Sequence, residues 1–325
     1  MYRMHPCWHS SCRRQRVLDH LLPLKSSGPS AISSENDGRV RKGLRTKMES
    51  PLLESLSDTI SANSDALAER GTVLESPGFL ETGKSVLSVA SDHGNKETNR
   101  DSFLAFVPLG DGDIKWAVAI ADGVSASFES KLGSRLACYA SVAALVRTED
   151  QKQRSPISEC AETFLAIGER ILGDARLCRP DQVPESHWTR FVQAGRLFQT
   201  TVMIAWQAGD QIFLDGIGDG GFVRDFDRGC VPMMYLPSSS GPVTCLGAMT
   251  NVVEPQYRHQ FASANQLYLF TDGVTGSIER DCSQAIDVMR RCVDRDRCTV
   301  ATDLLQFSIR SGASDDNQTL AVISP

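Results

Sequence analysis

The sequence predicts an α+β fold in which strands and helices come in separate runs. Apolar runs at 116–121 and 267–271 are continuous, which is typical of strands buried on both faces. Two pairs of amphipathic helical patterns follow strand runs, within 128–172 and within 286–309. Because strands do not alternate one by one with helices, this order indicates an α+β sandwich and not a doubly wound βαβ fold.

Turn signals between strand patterns predict which strands are neighbours. Residues 102–107 and 115–121 flank the turn at 110–113, and 198–206 and 211–217 form a hairpin around Gly209. Short connections of this kind join antiparallel neighbours. We therefore expect antiparallel sheets with helices laid on them.

Charge and composition limit the classes of function. The 325 residues are 41% hydrophobic and 23% charged, as in ordinary soluble proteins, with a net charge of −6. Residues 1–47 carry ten Lys/Arg and three Asp/Glu, so they are near +7 and the remainder is near −13. We expect 1–47 to be a disordered basic N-terminal extension and 48–83 a linker or short helix. The acidic remainder argues against nucleic-acid binding.

Cysteine usage and hydropathy indicate the compartment. The ten cysteines include no C-x-x-C pair, and several lie within apolar helical patterns. Reduced, mostly buried thiols in a cytoplasmic protein are therefore expected. No apolar run approaches the roughly 20 residues that span a bilayer, so no membrane association is expected.

Four aspartates lie at the ends of predicted strands, and they are the candidate metal ligands. Asp122 and Asp272 each follow a buried strand and precede a glycine, Asp219 follows the 211–217 strand, and Asp316 precedes the last strand. Each alone is typical of a turn. Together, without histidine or cysteine, they favour hard cations, so Mg²⁺ or Mn²⁺ is expected and not zinc.

The order of these signals resembles the metal-dependent PPM (type 2C) serine/threonine protein phosphatases, in a bacterial-like form. The resemblance covers about residues 84–324. It rests on the segments Gly94–Ser102, Ala121–Gly123, Thr200–Val202, Gly218–Gly220, Thr271–Gly273 and Asp316–Asn317, in that order. No single segment is specific, but the ordered set is.

The resemblance implies a four-layer α-β-β-α sandwich of two mostly antiparallel sheets, with 84–325 as the phosphatase domain. It implies that Asp122 bridges two metal ions, that the Gly123 carbonyl faces one of them, and that Asp272 and Asp316 complete the coordination shell of the second ion. Asp219 would serve a third, weaker ion, and Asp101 would join the metal-binding group. The expected cofactors are two Mn²⁺ or Mg²⁺ ions, or three with that weaker ion.

The resemblance also implies a reaction and partners. A metal-activated water would hydrolyse phosphoserine or phosphothreonine in a phosphorylated protein substrate, with Lys96 holding the phosphate where the family has arginine. A cognate serine/threonine kinase and a monomeric protein are expected.

Two residues depart from the family pattern. Arg100 stands where the family has a glutamate that orders metal-bound water, which leaves the first metal's outer shell open to question. Val124 stands where animal members often have a histidine. The alternative hypothesis is a catalytically silent phosphatase-like module that binds a partner. Loss of an acidic residue at Arg100 favours that alternative, whereas retention of Asp122, Asp272 and Asp316 favours activity.

Overall fold

Two antiparallel sheets packed face to face, with helices on both outer surfaces, form the fold. The computed structural model describes residues 54–127, 129–147, 155–173, 189, 192, 197–225, 233–235, 244–247, 254–262, 266–280, 282–312 and 314–324. The four-layer α-β-β-α architecture confirms the predicted fold class. The expectation for residues 1–47 lies outside the described residues.

The helices whose bounds the described residues define lie in two groups. Those over the first sheet are α1 (54–68), α2 (Ser130–Arg147) and α3 (Pro156–Gly173). Those over the second sheet are α4 (Asp272–Arg280), α5 (Cys282–Arg295) and α6 (Val300–Ser311).

The first sheet has the strand order β1-β4-β5-β6-β7-β10, and all neighbours are antiparallel. The predicted pair and hairpin are confirmed as β4–β5 and β6–β7. Its strands are β1 (Gly71–Leu74), β4 (Ser102–Pro108), β5 (Ile114–Ala121), β6 (Val202–Ala208), β7 (Gln211–Ile217) and β10 (Tyr257–Ala262).

The second sheet has the order β2-β3-β12-β11-β8-β9 and is also antiparallel. Its strands are β2 (Gly78–Thr82), β3 (Ser85–Asp92), β8 (Gly221–Asp225), β9 (Met233–Tyr235), β11 (Gln266–Phe270) and β12 (Gln318–Ser324). The chain passes from the first sheet to the second between β7 and β8, a crossing that becomes important at the candidate site.

Three apolar layers hold the sandwich together. Val118 and Ile120 of β5 pack against the second sheet, where Leu269 of β11 is also fully buried. The alternate residues of β5, such as Ala119, face α2 and α3. Because both faces of β5 and β11 are buried, their sequences are continuously apolar, and this makes them the most predictable strands.

The sequence predicts a linker or short helix for 48–83. In the described part, residues 54–83, the structure forms one helix and two strands. The helix α1 places Leu56, Ile60 and Leu67 in the core beside α2, all with 4% exposure or less. The strands β1 and β2 are edge strands of different sheets. Their residues are only half-buried, so their sequences lack the strong apolar pattern from which strands are predicted.

The structure describes the thiols of five of the cysteines and the hydropathy of the helices. Cys138, Cys160, Cys245, Cys292 and Cys298 are free thiols, and the first two are fully buried. Among the helices that the described ranges contain, none has the length and apolar character needed to cross a membrane.

Candidate metal centre

The candidate site lies at one rim of the sandwich, where interior strands of both sheets end. Asp122 directly follows β5, which lies between β4 and β6, and Asp272 directly follows β11, which lies between β12 and β8. Asp219 lies in the crossing between β7 and β8, and Asp316 precedes β12. Rigid backbone therefore presents each carboxylate at little entropic cost.

The backbone around Asp122 is held by the segment before β6. The Asp122 carbonyl accepts hydrogen bonds from the Thr201 amide (2.9 Å) and the Thr200 hydroxyl (2.7 Å). A Cβ atom at Gly123 would lie 2.7 Å from the Ser130 carbonyl oxygen and 2.8 Å from that of Arg100. Glycine is therefore required here, because a side chain would force α2 and the β4 segment apart.

The turn that carries Asp219 is braced by two other segments. Gly218 has a φ of +112° and packs against Thr201, so a side chain would be strained and would clash. Gln256 accepts a hydrogen bond from the Gly218 amide (3.1 Å) through its side chain and donates its own amide to the Gly216 carbonyl (2.8 Å). Both contacts hold the crossing that brings Asp219 to the rim.

Asp101 lies beneath the rim and is almost fully buried, with 6% exposure. The Thr271 hydroxyl donates to Asp101 Oδ2 (2.8 Å), and Thr271 in turn accepts from the Thr319 amide (3.0 Å). The Asn99 side chain accepts from the Asp101 amide (3.0 Å). These hydrogen bonds tie β11, β12 and the start of β4 together directly under Asp122 and Asp272.

Asn317 joins the loop after β3 to the loop before β12. It is 2% exposed, donates to the His93 carbonyl (2.9 Å) and accepts from the Arg100 amide (3.0 Å). Lys96, in the first of these loops, has its ammonium 3.6 Å from Asp316 Oδ1. Lys96 therefore lies beside the acidic rim, where the sequence predicts it.

Asp122, Asp219 and Asp272 form the tightest acidic group, with ligand oxygens that all lie within 4.8 Å of one another. Asp316 adds to their mutual repulsion from the Lys96 side of the site. The resemblance implies that Asp219 lies close to the other ligands and serves a third, weaker ion. The structure groups Asp219 with the two central aspartates.

Burial and mutual repulsion raise the pKa values of these carboxyl groups. Burial, followed by repulsion from Asp122 and Asp219, raises the pKa of Asp272 to about 8. Burial raises the pKa of Asp122 well above its ordinary value, and its contact with Asp101 adds to the shift. Burial likewise raises the pKa of Asp219. Without a cation, this rim is unfavourable for ionised carboxylates.

The donor set fits hard divalent cations. No hydrogen-bond donor in the described part of the chain reaches Asp101 Oδ1, Asp219 Oδ1 or Asp272 Oδ1, although all three atoms are buried. Buried polar atoms without partners are rare in folded proteins. Carboxylate oxygens at this spacing, with no thiolate or imidazole among them, are the ligands that Mg²⁺ and Mn²⁺ prefer.

Sequence reasoning missed the residues that hold the ligands in place. Thr271 and Asn317 lie within recognised segments but receive no role there, and Gln256 lies in none. Their hydrogen bonds connect positions that are far apart in sequence, so no local pattern reveals them. A polar residue buried within an otherwise apolar strand end, such as Thr271, is the signal that could have found one of them.

A family comparison agrees with this site. The family model "Protein phosphatase 2C" matches residues 90–307, about two thirds of the chain. The chain therefore belongs to the protein phosphatase 2C family, a family of phosphatase enzymes. No curated protein sequence matches the chain significantly.

Solved structures share the fold at low sequence identity. A serine-threonine phosphatase 2C from Toxoplasma gondii is 12% identical with a TM-score of 0.54, covering 78% of this chain and 98% of that one. PppA, described as a regulatory component of the T6SS in Pseudomonas aeruginosa, is 18% identical with a TM-score of 0.52, covering 75% and 98%. The catalytic domain of PstP, in complex with two manganese ions, is 16% identical with a TM-score of 0.50, covering 78% and 99%.

Proposed function

We propose that this protein is a metal-dependent serine/threonine phosphoprotein phosphatase. The observation that carries the proposal is the group of Asp122, Asp219 and Asp272, whose oxygens lie within 4.8 Å of one another at the rim of a protein phosphatase 2C fold. The PstP structure, which contains two manganese ions, supports Mn²⁺ or Mg²⁺ as the cofactor.

The family resemblance, together with the clustering of these aspartates, supports an assignment of the residues that would hold the cations. Asp122 would hold both cations with the Gly123 carbonyl beside it, and Asp272 and Asp316 would complete the ligands of the second cation. Asp219 would hold a further cation or contribute to the same group, and Asp101 would support the group from below. When bound, such cations lower the pKa of water and offset the charge of a phosphoryl group.

The chain's own residues would then position the substrate. Lys96 lies beside Asp316 with a half-exposed side chain, so its ammonium can reach a phosphate at the rim. Lysine provides a point charge without the planar fork of arginine, which predicts a looser hold on phosphate. Further parts of the proposal are a phosphorylated protein substrate, a cognate serine/threonine kinase, action as a monomer and a cytoplasmic location.

Hydrolysis of a phosphothreonine peptide tests the proposal. Phosphate release is expected with Mn²⁺, and EDTA or the change Asp122→Asn should abolish it. If wild-type protein binds the peptide in Mn²⁺ but releases no phosphate, the catalytically silent module is the better account. Release that persists in EDTA would contradict the metal-dependent mechanism.

A further inference from the structure

Arg100 has its backbone fixed on both sides at the rim of the site. Its amide donates to Asn317 Oδ1 (3.0 Å), and its carbonyl accepts from the Ser134 hydroxyl (2.6 Å). The Gly123 backbone also packs closely on that carbonyl, as the position of a Cβ at Gly123 shows. The side chain of Arg100 therefore starts from a well-determined point between the acidic rim and the first turns of α2.

The two residues that follow Arg100 form hydrogen bonds within the fold. Asp101 is bonded by Thr271 beneath the rim, and the Ser102 hydroxyl lies 2.8 Å from the hydroxyl of Ser134 on α2. Arg100 itself is half-buried. Among the described residues, its guanidinium forms no hydrogen bond or ion pair, in contrast to the side chains of Asp101 and Ser102.

Arg100 forms no ion pair with a carboxylate in the described residues, although its backbone lies beside the acidic rim. Asp101 follows it directly in the chain, and the Arg100 carbonyl lies close to the backbone of Gly123, the residue after Asp122. Other arginines do find acidic partners, as seen for Arg135 with Glu75 (3.0 Å), Arg258 with Asp215 (3.3 Å) and Arg290 with Asp225 (2.8 Å). Because its backbone is fixed beside the site and its guanidinium has no acidic partner among the described residues, Arg100 is available for an external anion.

We propose that Arg100 recognises a second anionic group on the substrate, a carboxylate or second phosphate that flanks the phosphorylated serine or threonine. This inference rests on the proposed phosphatase function. The planar guanidinium can bind either group through two parallel hydrogen bonds. Lys96, the other cation at this rim, already lies against Asp316, which leaves Arg100 as the residue suited to the flanking group.

The negative net charge of the chain explains why a cation at this position would affect substrate selection. The chain beyond residue 47 has a net charge near −13, so an acidic peptide is repelled as it approaches. A single guanidinium at the rim would offset this repulsion locally and would attract an acidic residue next to the phosphorylated one. The protein would thereby select phosphorylation sites embedded in acidic sequence, which a purely acidic rim would disfavour.

A peptide panel with matched variants tests the proposal. One phosphothreonine peptide carries alanine at three positions on each side, and its relatives carry glutamate or phosphoserine at one of those positions. The readout is the ratio of kcat/KM for each anionic peptide to that for the alanine peptide, which does not depend on absolute activity. The proteins are wild type, Arg100→Gln, Arg100→Lys and Lys131→Gln, which removes an exposed positive charge near Ser134.

At one or more flanking positions, wild type should prefer the anionic peptide, and Arg100→Gln should lower that ratio about tenfold, as expected for loss of a charge-assisted hydrogen bond. Arg100→Lys should retain part of the preference, and Lys131→Gln should retain nearly all of it. A preference for phosphoserine but not glutamate would identify the second group as phosphate.

Three results would overturn the proposal. A decrease in kcat/KM that is equal for all peptides in Arg100→Gln would place Arg100 on the reacting phosphate. A change only in the Mn²⁺ concentration needed for activity would make Arg100 a neighbour of the metals. An unchanged ratio would mean that Arg100 contacts no flanking group.

Failure of the phosphatase proposal gives a different result. If wild type hydrolyses no peptide, fluorescence anisotropy of the same labelled peptides measures binding to Asp122→Asn and to Asp122→Asn with Arg100→Gln. Tighter binding of the anionic peptides that is lost in the double variant would support the role of Arg100 without turnover. Equal binding by both proteins would contradict it.

Discussion

Asp225 and Asp272 are both largely buried carboxylates, yet the protein surrounds them differently. Asp225, at the end of β8, receives two hydrogen bonds of 2.8 Å from the Arg290 guanidinium on α5. Asp272 has Asp122 and Asp219 as its neighbours, and no basic side chain in the described residues lies within ion-pair distance of any of the three. Among the described residues, Asp225 therefore has a basic partner, Arg290, and Asp272 has none.

The difference separates a carboxylate that supports the fold from the carboxylates to which the proposed function assigns a cation. A bidentate ion pair satisfies Asp225 within the protein, so its contribution is structural. The rim carboxylates instead lack a basic partner among the described residues, and burial, followed by their mutual repulsion, raises the pKa of Asp272 to about 8. Such an arrangement lowers the stability of the metal-free protein and stabilises it only when cations bind.

The largest expected effect follows from the change Asp122→Asn. The amide is nearly isosteric but neutral, so the shared anionic ligand of the proposed cations is lost. Turnover of a phosphothreonine peptide should fall below detection, and Mn²⁺ binding should weaken by at least about 10–100-fold, because even changes behind the ligands cost that much. Titration calorimetry with Mn²⁺ and a phosphate-release assay measure the two effects. Wild-type-like turnover would remove Asp122 from the mechanism.

The change Asp225→Asn should produce the opposite pattern. It leaves the Arg290 guanidinium without its carboxylate, and breaking a largely buried pair should lower the free energy of unfolding by about 2 kcal/mol after allowance for partial exposure of Arg290. Urea unfolding in EDTA measures this loss. Mn²⁺ affinity should stay at the wild-type value, and a weaker affinity would show that the two groups of carboxylates are not independent.

The pH dependence of metal-free stability separates the two groups further. The pKa of Asp272 is raised to about 8 in the folded protein, from an ordinary value of 3.8, so the folded state binds more protons than the unfolded state between these values. Stability in EDTA should therefore fall as pH rises from about 5 to 8, with a decrease in Tm of about 5 °C. Asp272→Asn should show a smaller decrease. An equal decrease in that variant would assign the effect to other groups.

The smallest expected effect on the fold concerns Lys96. Its ammonium and the Asp316 carboxylate are 3.6 Å apart, and both side chains are 39% exposed, so Lys96→Gln should change the free energy of unfolding by less than about 0.5 kcal/mol. The same change should raise KM for a phosphopeptide about tenfold, whereas Lys96→Arg should keep or lower it. An unchanged KM in Lys96→Gln would exclude this residue from phosphate binding.

The sequence predicts the interior of the fold better than its edges. β5 and β11 are continuously apolar because both of their faces are buried, and this pattern is visible without a structure. β1 and β2 are half-exposed edge strands, so their patterns are weak. The helix α4 is also absent from the prediction, because its first residues, Asp272 and Gly273, have the composition of a turn.

The candidate ligands could be predicted, but their grouping could not. Asp122 and Asp272 follow buried strands, so their rigid placement at strand ends can be inferred from sequence. The closeness of Asp219 depends on where the chain crosses from the first sheet to the second, and Gln256 braces that crossing from 38 residues away. Such long-range contacts leave no local signal, which is why the sequence alone does not predict the close grouping of Asp219 with Asp122 and Asp272.

The most direct test of the central claim is the Tm of Asp122→Asn compared with wild type in EDTA. If the rim carboxylates are held together for a cation, removing one charge relieves repulsion, and the metal-free variant should melt at the same temperature as wild type or higher. Mn²⁺ should then raise the Tm of wild type more than that of the variant. A metal-free variant that melts well below wild type, as Asp225→Asn is expected to, would show that Asp122 supports the fold and would contradict the account.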